Sequence, residues 1–451
     1  MHSTYRLWLD LAKAIIPVLE SAARTGEVRT ALQQQVVFES SNSMSSGWVQ
    51  KFDFSYLLLF HRSKWDSLPE VKSLVEALRL EGTIYIPKMM NADGTPHLPT
   101  HEEQERFLLD GISHFFASLL ERHQKFQIDE DQFGEHVDRW HEVWHTKTVP
   151  HEIVIPLRGV LLADGPIVID KDIEIVALSP EDKTTLHQTD PFGRSALSAQ
   201  NLRDCSAALR ARYTSTSPTN FDSSSIMPSV ETALLTIRLM KEEGVFPLCI
   251  IDSLKYSYIG TSGSTSLPES WYVPASQLRN FTISGEDATS LQEMYARLSR
   301  LKSNNNLIHI DVGIRRFEMA SYRANDDDKL VDITIALESL LLYNEKDELK
   351  YRLALRGACA LRATYPPSVS SKMLRKIYDI RSGIVHSGKN LSSFTNANGL
   401  IDGLLPGQFL SQALSWTRQL IVHYISLLDQ GETLQKITST LDNTILEGMT
   451  K

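Results

Sequence analysis

The sequence predicts an α+β protein with several domains, in which a mainly helical N-terminal domain and a β-containing middle domain precede an all-α C-terminal bundle. Three observations predict this arrangement. The chain has 451 residues, more than one ordinary hydrophobic core sustains. Apolar residues recur at helical spacing in the first and last thirds of the chain. From residue 152 to residue 178 the pattern instead has a period of two, which is typical of β-strands.

The predicted N-terminal domain comprises residues 1–147, where helical patterns alternate with loops. Amphipathic helices are expected over residues 5–24, 71–80, 102–125 and 133–145. Pro150 and the strand pattern that follows it end this helical part of the chain.

The predicted middle domain comprises residues 148–310. Strands are expected over residues 153–155, 159–162, 167–169, 173–178 and 246–258, and helices over residues 229–243 and 291–302. Residues 183–228 are rich in Ser, Thr, Asp and Asn, which predicts a surface loop with some helix over residues 202–212. The Gly/Ser-rich residues 260–265 predict a flexible connection.

The predicted C-terminal domain comprises residues 311–451 and has the most regular pattern in the chain. Helices are expected over residues 329–343, 349–361, 370–387 and 409–428. Gly388 is the expected stop of the third of these helices. Four helices joined by short to medium connections predict a helical bundle.

Charge and cysteine content restrict the function and the compartment. The net charge of −9 argues against a protein that coats nucleic acid, so any RNA contact must use a local basic site. Cys205, Cys249 and Cys359 provide neither a disulfide framework nor a CxxC metal motif, which fits a reducing cytoplasm. The longest apolar runs are far shorter than a membrane span, and no signal-peptide pattern opens the chain, so a cytoplasmic location is expected.

The third bundle helix contains Arg381 and His386, five residues apart. A neutral imidazole takes a proton from a 2′-hydroxyl, and an imidazolium returns one to a leaving oxygen. A guanidinium holds two phosphate oxygens and stabilises the charge of the transition state. The pair therefore suits phosphodiester cleavage without a metal cofactor. By spacing alone, however, a basic residue that caps the helix C-terminus is the more common explanation of such a pair.

Supporting residues are expected around this pair. Asp379, Ser382 and His386 fall on one helical face together with Gly383, whereas Arg381 lies about 140° around the helix from His386. Ser382 is expected to add a hydrogen bond to a phosphate, and Gly383 to leave the helix surface low enough for a phosphate or a partner helix to approach. The expected RNA-binding rim consists of the basic residues Arg375, Lys376 and Lys389.

The neighbouring sequence resembles the Apea-like HEPN family from about residue 315 to about residue 430. Residues 326–341 contain Ala336-Leu337-Glu338-Ser339-Leu340, which looks like the "ALE-x-L" core of that family's first helix. Residues 353–361 resemble its Ala-rich second helix. Residues 377–388 resemble its "YDxRSxxVHG" signature, with Arg381 and His386 matched. The chain departs from the signature at Ser387, which separates the histidine from the glycine.

The resemblance implies a HEPN endoribonuclease with a composite active site at a homodimer interface. Each subunit would supply Arg381 and His386, no metal would be required, and the product would carry a 2′,3′-cyclic phosphate. Many members act in abortive anti-phage defence, so residues 1–147 are a candidate sensor and a phage-derived molecule a candidate trigger. Glu338 matches the family's acidic position. It is expected either to act in catalysis or to form an ion pair with Arg356 or Arg381.

Two other functions remain open from the sequence. The first is a zinc-dependent hydrolase, because the segment from His141 to His145 reads His-Glu-Val-Trp-His, matches H-E-x-x-H and would place both histidines on one helical face, with His136 and His151 as nearby ligands. The flanking tryptophans and the early end of this helix favour packed core histidines instead. The second is a non-catalytic HEPN module that binds RNA or a nucleotide, or that only dimerises.

Overall fold

The computed structural model describes residues 3–25, 30–40, 44–52, 58, 62–81, 89–90, 95–123, 126–145, 148–188, 199–215, 223–241, 245–254, 263–266 and 280–449. Most of the described residues are helical, and a small antiparallel sheet occupies the middle of the chain. In the part of the chain described here, no helix combines the length and the apolar character that crossing a bilayer requires.

The helices and strands are numbered in chain order. The α-helices are α1 (Tyr5–Arg24), α2 (Pro69–Glu81), α3 (His101–His123), α4 (Glu130–His145), α5 (Pro180–Gln188), α6 (Ala199–Arg203), α7 (Met227–Met240), α8 (Asp287–Ser303), α9 (Asp311–Tyr322), α10 (Asp326–Leu341), α11 (Leu349–Ala360), α12 (Pro367–Ser387), α13 (Pro406–Asp429) and α14 (Leu434–Met449). The strands are β1 (Thr30–Phe38), β2 (Met44–Phe52), β3 (Met89–Met90), β4 (Pro96–His97), β5 (Val149–Arg158), β6 (Val160–Leu162), β7 (Ile167–Asp170), β8 (Ile173–Ala177), β9 (Cys205–Ser215), β10 (Phe246–Pro247), β11 (Cys249–Leu254), β12 (Gly263–Ser266) and β13 (Phe281–Ile283).

The N-terminal helices pack around an aromatic core. Helices α1 to α4 include every helix that the sequence predicts there, and they bury Trp8, Phe115 and Trp140 completely. Aromatic rings contribute large buried areas, which stabilises this cluster. The sequence pattern missed the antiparallel hairpin of β1 and β2, because its strands contain runs of Gln and Ser instead of alternating apolar residues.

The middle of the chain contains an antiparallel sheet with the strand order β12-β11-β5-β9-β8-β7, in which β10 also pairs with β5. The prediction of a loop with some helix over residues 202–212 is wrong, because β9 begins at Cys205 and lies between β5 and β8. Leu209 and Ala211 of β9 face the core, while Arg210 and Arg212 alternate with them. Ala, Leu and Arg favour helices, but pairing with two strands outweighs that local preference.

The predicted flexible connection over residues 260–265 is also wrong in part. Residues 263–266 form β12, which pairs with β11 from Cys249 to Asp252. Residues 260–262, and residues 255–258 of the predicted strand, lie outside the described residues. A pairing partner a dozen residues away therefore orders part of a sequence whose composition is typical of a linker.

The C-terminal helices α9 to α14 surround one hydrophobic core. The four helices predicted from periodicity correspond to α10, α11, α12 and α13, with ends within about three residues of the prediction. Helices α9 and α14 were not predicted. Helix α10 packs against α9, α11, α12 and α13, and its Leu330, Ile333 and Leu337 are fully buried. Side chains of α7 and α8 join the same core, so the bundle is continuous with part of the middle segment.

The central contact between α11 and α12 depends on Gly357. A Cβ atom at this position would lie 2.5 Å from Cδ1 of Leu374 and 3.2 Å from Cδ1 of Leu341, and both leucines are fully buried. We expect Gly357→Ala to lower the free energy of unfolding by about 1–3 kcal/mol, because buried side chains must move. Denaturant unfolding measures this change. The matched control is the exposed Gly407 in the first turn of α13, where a Cβ has open space, and Gly407→Ala should not destabilise the protein.

Candidate active site

Helix α12 carries Arg381 and His386, and its two ends are set by the sequence. Pro367 occupies the first helical position, where the missing N–H costs nothing. Gly388 ends the helix in a left-handed conformation at φ 61°, and its N–H donates to the carbonyl of Gly383. The helix buries Leu374, Ile377 and Ile380 against the bundle, and this burial fixes the directions of the remaining faces.

The Arg381 side chain extends toward helix α10. Its Nη2 atom lies 4.0 Å from Oε2 of Glu338, and 22% of the side chain is exposed. Its Nε–H is buried and has no hydrogen-bond partner among the described residues. The fold therefore leaves part of the donor capacity of this guanidinium unused, which is unusual for a buried polar atom.

Glu338 occupies a partly buried position in the last turn of α10. Burial raises the pKa of Glu338, and the positive charge of Arg381 partly opposes that increase. Of the two ion pairs that the sequence left open, Arg381 is the partner. Arg356 instead binds Glu345 and Asp442.

A pH dependence of stability follows from Glu338. Because its pKa is raised above the ordinary 4.5, the folded protein holds this proton more tightly than the unfolded chain. The stability that this bound proton contributes is fully present below pH 4.5, the ordinary pKa of the group, and is lost as the pH rises through the raised pKa. The free energy of unfolding of wild type should therefore decline as the pH rises, and the Glu338→Gln variant should not show this part of the decline. Denaturant unfolding from about pH 4 to about pH 8 tests this expectation, and parallel profiles for both proteins would contradict it.

His386 lies in the last turn of α12 and is exposed. It is five residues from Arg381, which corresponds to about 7.5 Å along the helix axis and about 140° around it. The two side chains therefore leave the helix in different directions. Ser382, between them, is partly exposed.

Asp379 forms an ion pair with a neighbouring lysine. Both of its carboxylate oxygens lie within hydrogen-bonding distance of Nζ of Lys350 on α11, at 2.6 and 2.7 Å. Asp379 is seven residues, or about 10 Å, from His386 along the helix axis. The sequence correctly predicts that the two residues share a face, whereas the ion pair with Lys350 depends on tertiary structure and was not predicted.

The expected RNA-binding residues Arg375 and Lys376 line a surface groove of about 460 Å³. The groove also contains the basic residues Lys350 and Lys372, and Lys372 forms an ion pair with Asp402. Because Lys350 is paired with Asp379, two of the four cations of the groove have carboxylate partners. Lys389 lies beyond the other end of α12, where its Nζ is 5.7 Å from the centre of the Phe394 ring.

Of the two alternative zinc ligands in the N-terminal part, His141 is engaged in packing. His141 is 2% exposed, and its Nε2 accepts a hydrogen bond from Nε1 of Trp8 at 3.2 Å and lies 2.8 Å from Oγ1 of Thr4. A nitrogen that accepts this bond has its lone pair directed at Trp8 and not at a metal. The side chain of His145 lies outside the described residues. Among those that are described, no group of three or more potential ligands is placed to hold a metal ion.

Comparisons with known proteins add no information about this site. No protein-family model, no curated protein and no solved structure matches the chain. A functional interpretation therefore depends on the residues of α12 and on what surrounds them. Of the residues that surround α12, periodicity gave no indication of Lys350 or Phe394.

Proposed function

We propose that the protein is a metal-independent endoribonuclease of HEPN type, with Arg381 and His386 as its catalytic residues. The observation that carries the proposal is the placement of Arg381 and His386 on α12. His386 is exposed at the helix end, and Arg381 retains a buried N–H without a partner among the described residues. The resemblance of residues 326–341 and 377–388 to the family's first and third helices supports the same assignment.

The proposed reaction is an attack of the ribose 2′-oxygen on the adjacent phosphorus. His386 takes the 2′-hydroxyl proton as general base, and the imidazolium of a second His386 protonates the departing 5′-oxygen. Arg381 binds the non-bridging oxygens and stabilises the charge that builds on them. The P–O5′ bond breaks as the P–O2′ bond forms, which leaves a 2′,3′-cyclic phosphate and a 5′-hydroxyl. No cofactor takes part in these steps.

The proposed site is composite and requires a homodimer. In a single chain, Arg381 lies beside Glu338 and about 140° around α12 from His386. A second copy packed against the end of α12 would supply the other histidine and arginine to one cleft. Glu338 then acts as a positioning residue that holds Arg381, and Ser382 contributes a hydrogen bond to the phosphate.

The biological setting that we propose is abortive anti-phage defence. A nuclease that stops growth by cutting RNA must be restrained, and residues 1–147 are the proposed sensor of a phage-derived trigger. Deletion of residues 1–147 from the chain tests this role. The proposal predicts that cleavage or its regulation changes, and unaltered activity with unaltered regulation would contradict it.

The direct test of the activity uses the purified full chain and a labelled single-stranded RNA in excess chelator. We expect cleavage with 2′,3′-cyclic phosphate ends, and a specific activity that rises with protein concentration as dimers form. Cleavage only after metal addition, or products with 3′-hydroxyl ends, would contradict the mechanism. RNA binding without cleavage under all conditions would instead favour the non-catalytic module.

A further inference from the structure

Phe394 lies over helix α12 between the basic groove and His386. A Cβ atom on Gly383 would lie 2.4 Å from the ring tip Cζ and 3.2 and 3.4 Å from the two Cε atoms. All three nearest atoms belong to the tip of the ring, so the ring meets the helix edge-on and its faces point sideways. The residue is only partly buried. Gly383 thus provides the space for the tip of a partly buried aromatic ring.

The loop that carries Phe394 is held in place by hydrogen bonds. Residues 391–394 form a short 3₁₀ turn, and Oδ1 of Asn390 accepts from the N–H of Ser393 at 3.1 Å. Oδ1 of Asp327 on α10 accepts from the N–H of Leu391 at 2.6 Å, and the Leu391 side chain is buried. The position of the ring is therefore set before any ligand arrives.

Two lysines lie over the ring in cation–π positions. The Nζ atoms of Lys376 and Lys389 lie 6.0 and 5.7 Å from its centre. Lys376 also lines the basic groove, so the groove and the ring are adjacent. Arg375 in the groove and His386 lie within about 20° of each other around α12 and about 16 Å apart along its axis. Cations, the aromatic ring and the histidine therefore follow one face of the helix.

We propose that Phe394 is a stacking platform for a base of single-stranded RNA, whose backbone runs from the groove of Lys372, Arg375 and Lys376 toward His386. This inference rests on the proposed function and adds the substrate class. Stacking on aromatic side chains between cations is how proteins bind unpaired nucleotides, whereas paired bases are unavailable for it. The base takes the place of a lysine over the ring, and Lys376 and Lys389 then bind the phosphates on either side of the stacked base.

The test measures binding of the full chain to a single strand with 2′-O-methyl riboses, which lacks the attacking hydroxyl. Phe394→Leu should weaken this binding by about 5- to 100-fold, and Phe394→Trp should restore it. Binding to a duplex of the same sequence should be equal in all three proteins. The matched control is Tyr343→Leu, which removes an exposed aromatic ring elsewhere on the bundle and should leave binding unchanged.

Two outcomes would overturn the platform. They are unweakened binding by a folded Phe394→Leu variant, and equal weakening for single strand and duplex. If Phe394→Leu fails to fold, the Lys376→Gln/Lys389→Gln variant replaces it in the test. The slope of log binding constant against log salt concentration should then fall in magnitude by roughly 1.4, or 0.7 per lost phosphate contact. An unchanged slope would overturn the proposal. If the protein binds RNA through Phe394 but never cuts it, only the proposed nuclease activity is contradicted. If it cuts RNA but its binding does not depend on Phe394, only the stacking platform is contradicted.

Discussion

Replacement of His386 by alanine is expected to reduce RNA cleavage by about 10²–10⁴-fold, the usual contribution of a general acid or base. The thermal stability should not change, because His386 is exposed at the end of α12. Initial rates in chelator, together with a melting curve, measure both quantities. Arg381→Ala should lose about 10²–10³-fold through the lost stabilisation of phosphate charge. Arg381→Lys should restore only part of the rate, because an ammonium cannot bind two oxygens in one plane.

The matched control for these variants is Val385→Ala. Val385 is exposed, lies in the same turn as His386 and carries no ionisable group. Its truncation should leave the cleavage rate within about twofold of wild type, which corresponds to roughly 0.4 kcal/mol. An equal loss in Val385→Ala and His386→Ala would mean that the end of the helix matters only as a surface and that the imidazole has no catalytic role.

The largest expected effect on stability comes from Arg356→Ala. Only 1% of the Arg356 side chain is exposed. Its Nε and Nη2 donate to Asp442 at 2.7 Å each, its Nη2 also donates to Glu345 at 2.8 Å, and its Nη1 donates to the carbonyl of Leu341 at 2.9 Å. One guanidinium thus joins α10, α11, α14 and the connection after α10. We expect its loss to lower the free energy of unfolding by about 3 kcal/mol, because a fully buried side chain and all four of its hydrogen bonds are removed.

Arg352→Ala is the matched control for Arg356. Arg352 lies one turn earlier on α11 and contacts the same Glu345 at 3.3 Å, but 36% of its side chain is exposed. Solvent screens such a pair, so its loss should cost less than about 1 kcal/mol. Denaturant unfolding of both variants compares them directly. Similar values for the two arginines would show that burial of Arg356 does not stabilise the bundle.

Helical periodicity predicted the helices that bury a continuous apolar stripe. Leu330, Ile333 and Leu337 of α10 recur at helical spacing, and the predicted helix matches the observed one closely. The pattern was less clear in α14, where Thr, Ser and Asn interrupt the apolar positions and Thr438 is itself buried. Burial of a threonine whose hydroxyl bonds to Leu434 cannot be inferred from hydrophobicity.

Strand β9 shows why the sheet was harder to predict. Its ion pairs join Arg210 and Arg212 to Glu152 on β5 and Glu174 on β8. These partners are distant in sequence, so no local window contains the information that makes this segment a strand. The same limitation explains the assignment of residues 202–212 to a loop with some helix.

The sequence predicted the helix that carries the candidate site, but not the tertiary contacts that its side chains make. The spacing of Asp379, Ser382 and His386 correctly predicted a shared face on α12. The pairing of Asp379 with Lys350, and the position of Phe394 over Gly383, depend on tertiary packing. Sequence reasoning expected Gly383 to leave a low surface for a phosphate or a partner helix. The structure instead places a ring of the same chain there.

The proposed active site is tested most directly by the cleavage rate of the Arg381→Ala/His386→Ala double variant in excess chelator, compared with wild type and both single variants. Wild type should give 2′,3′-cyclic phosphate ends. The double variant should be little slower than the slower single variant, because residues that act in one cleft have non-additive effects. Cleavage by the double variant at the wild-type rate, or cleavage that depends on added metal, would contradict the assignment of Arg381 and His386.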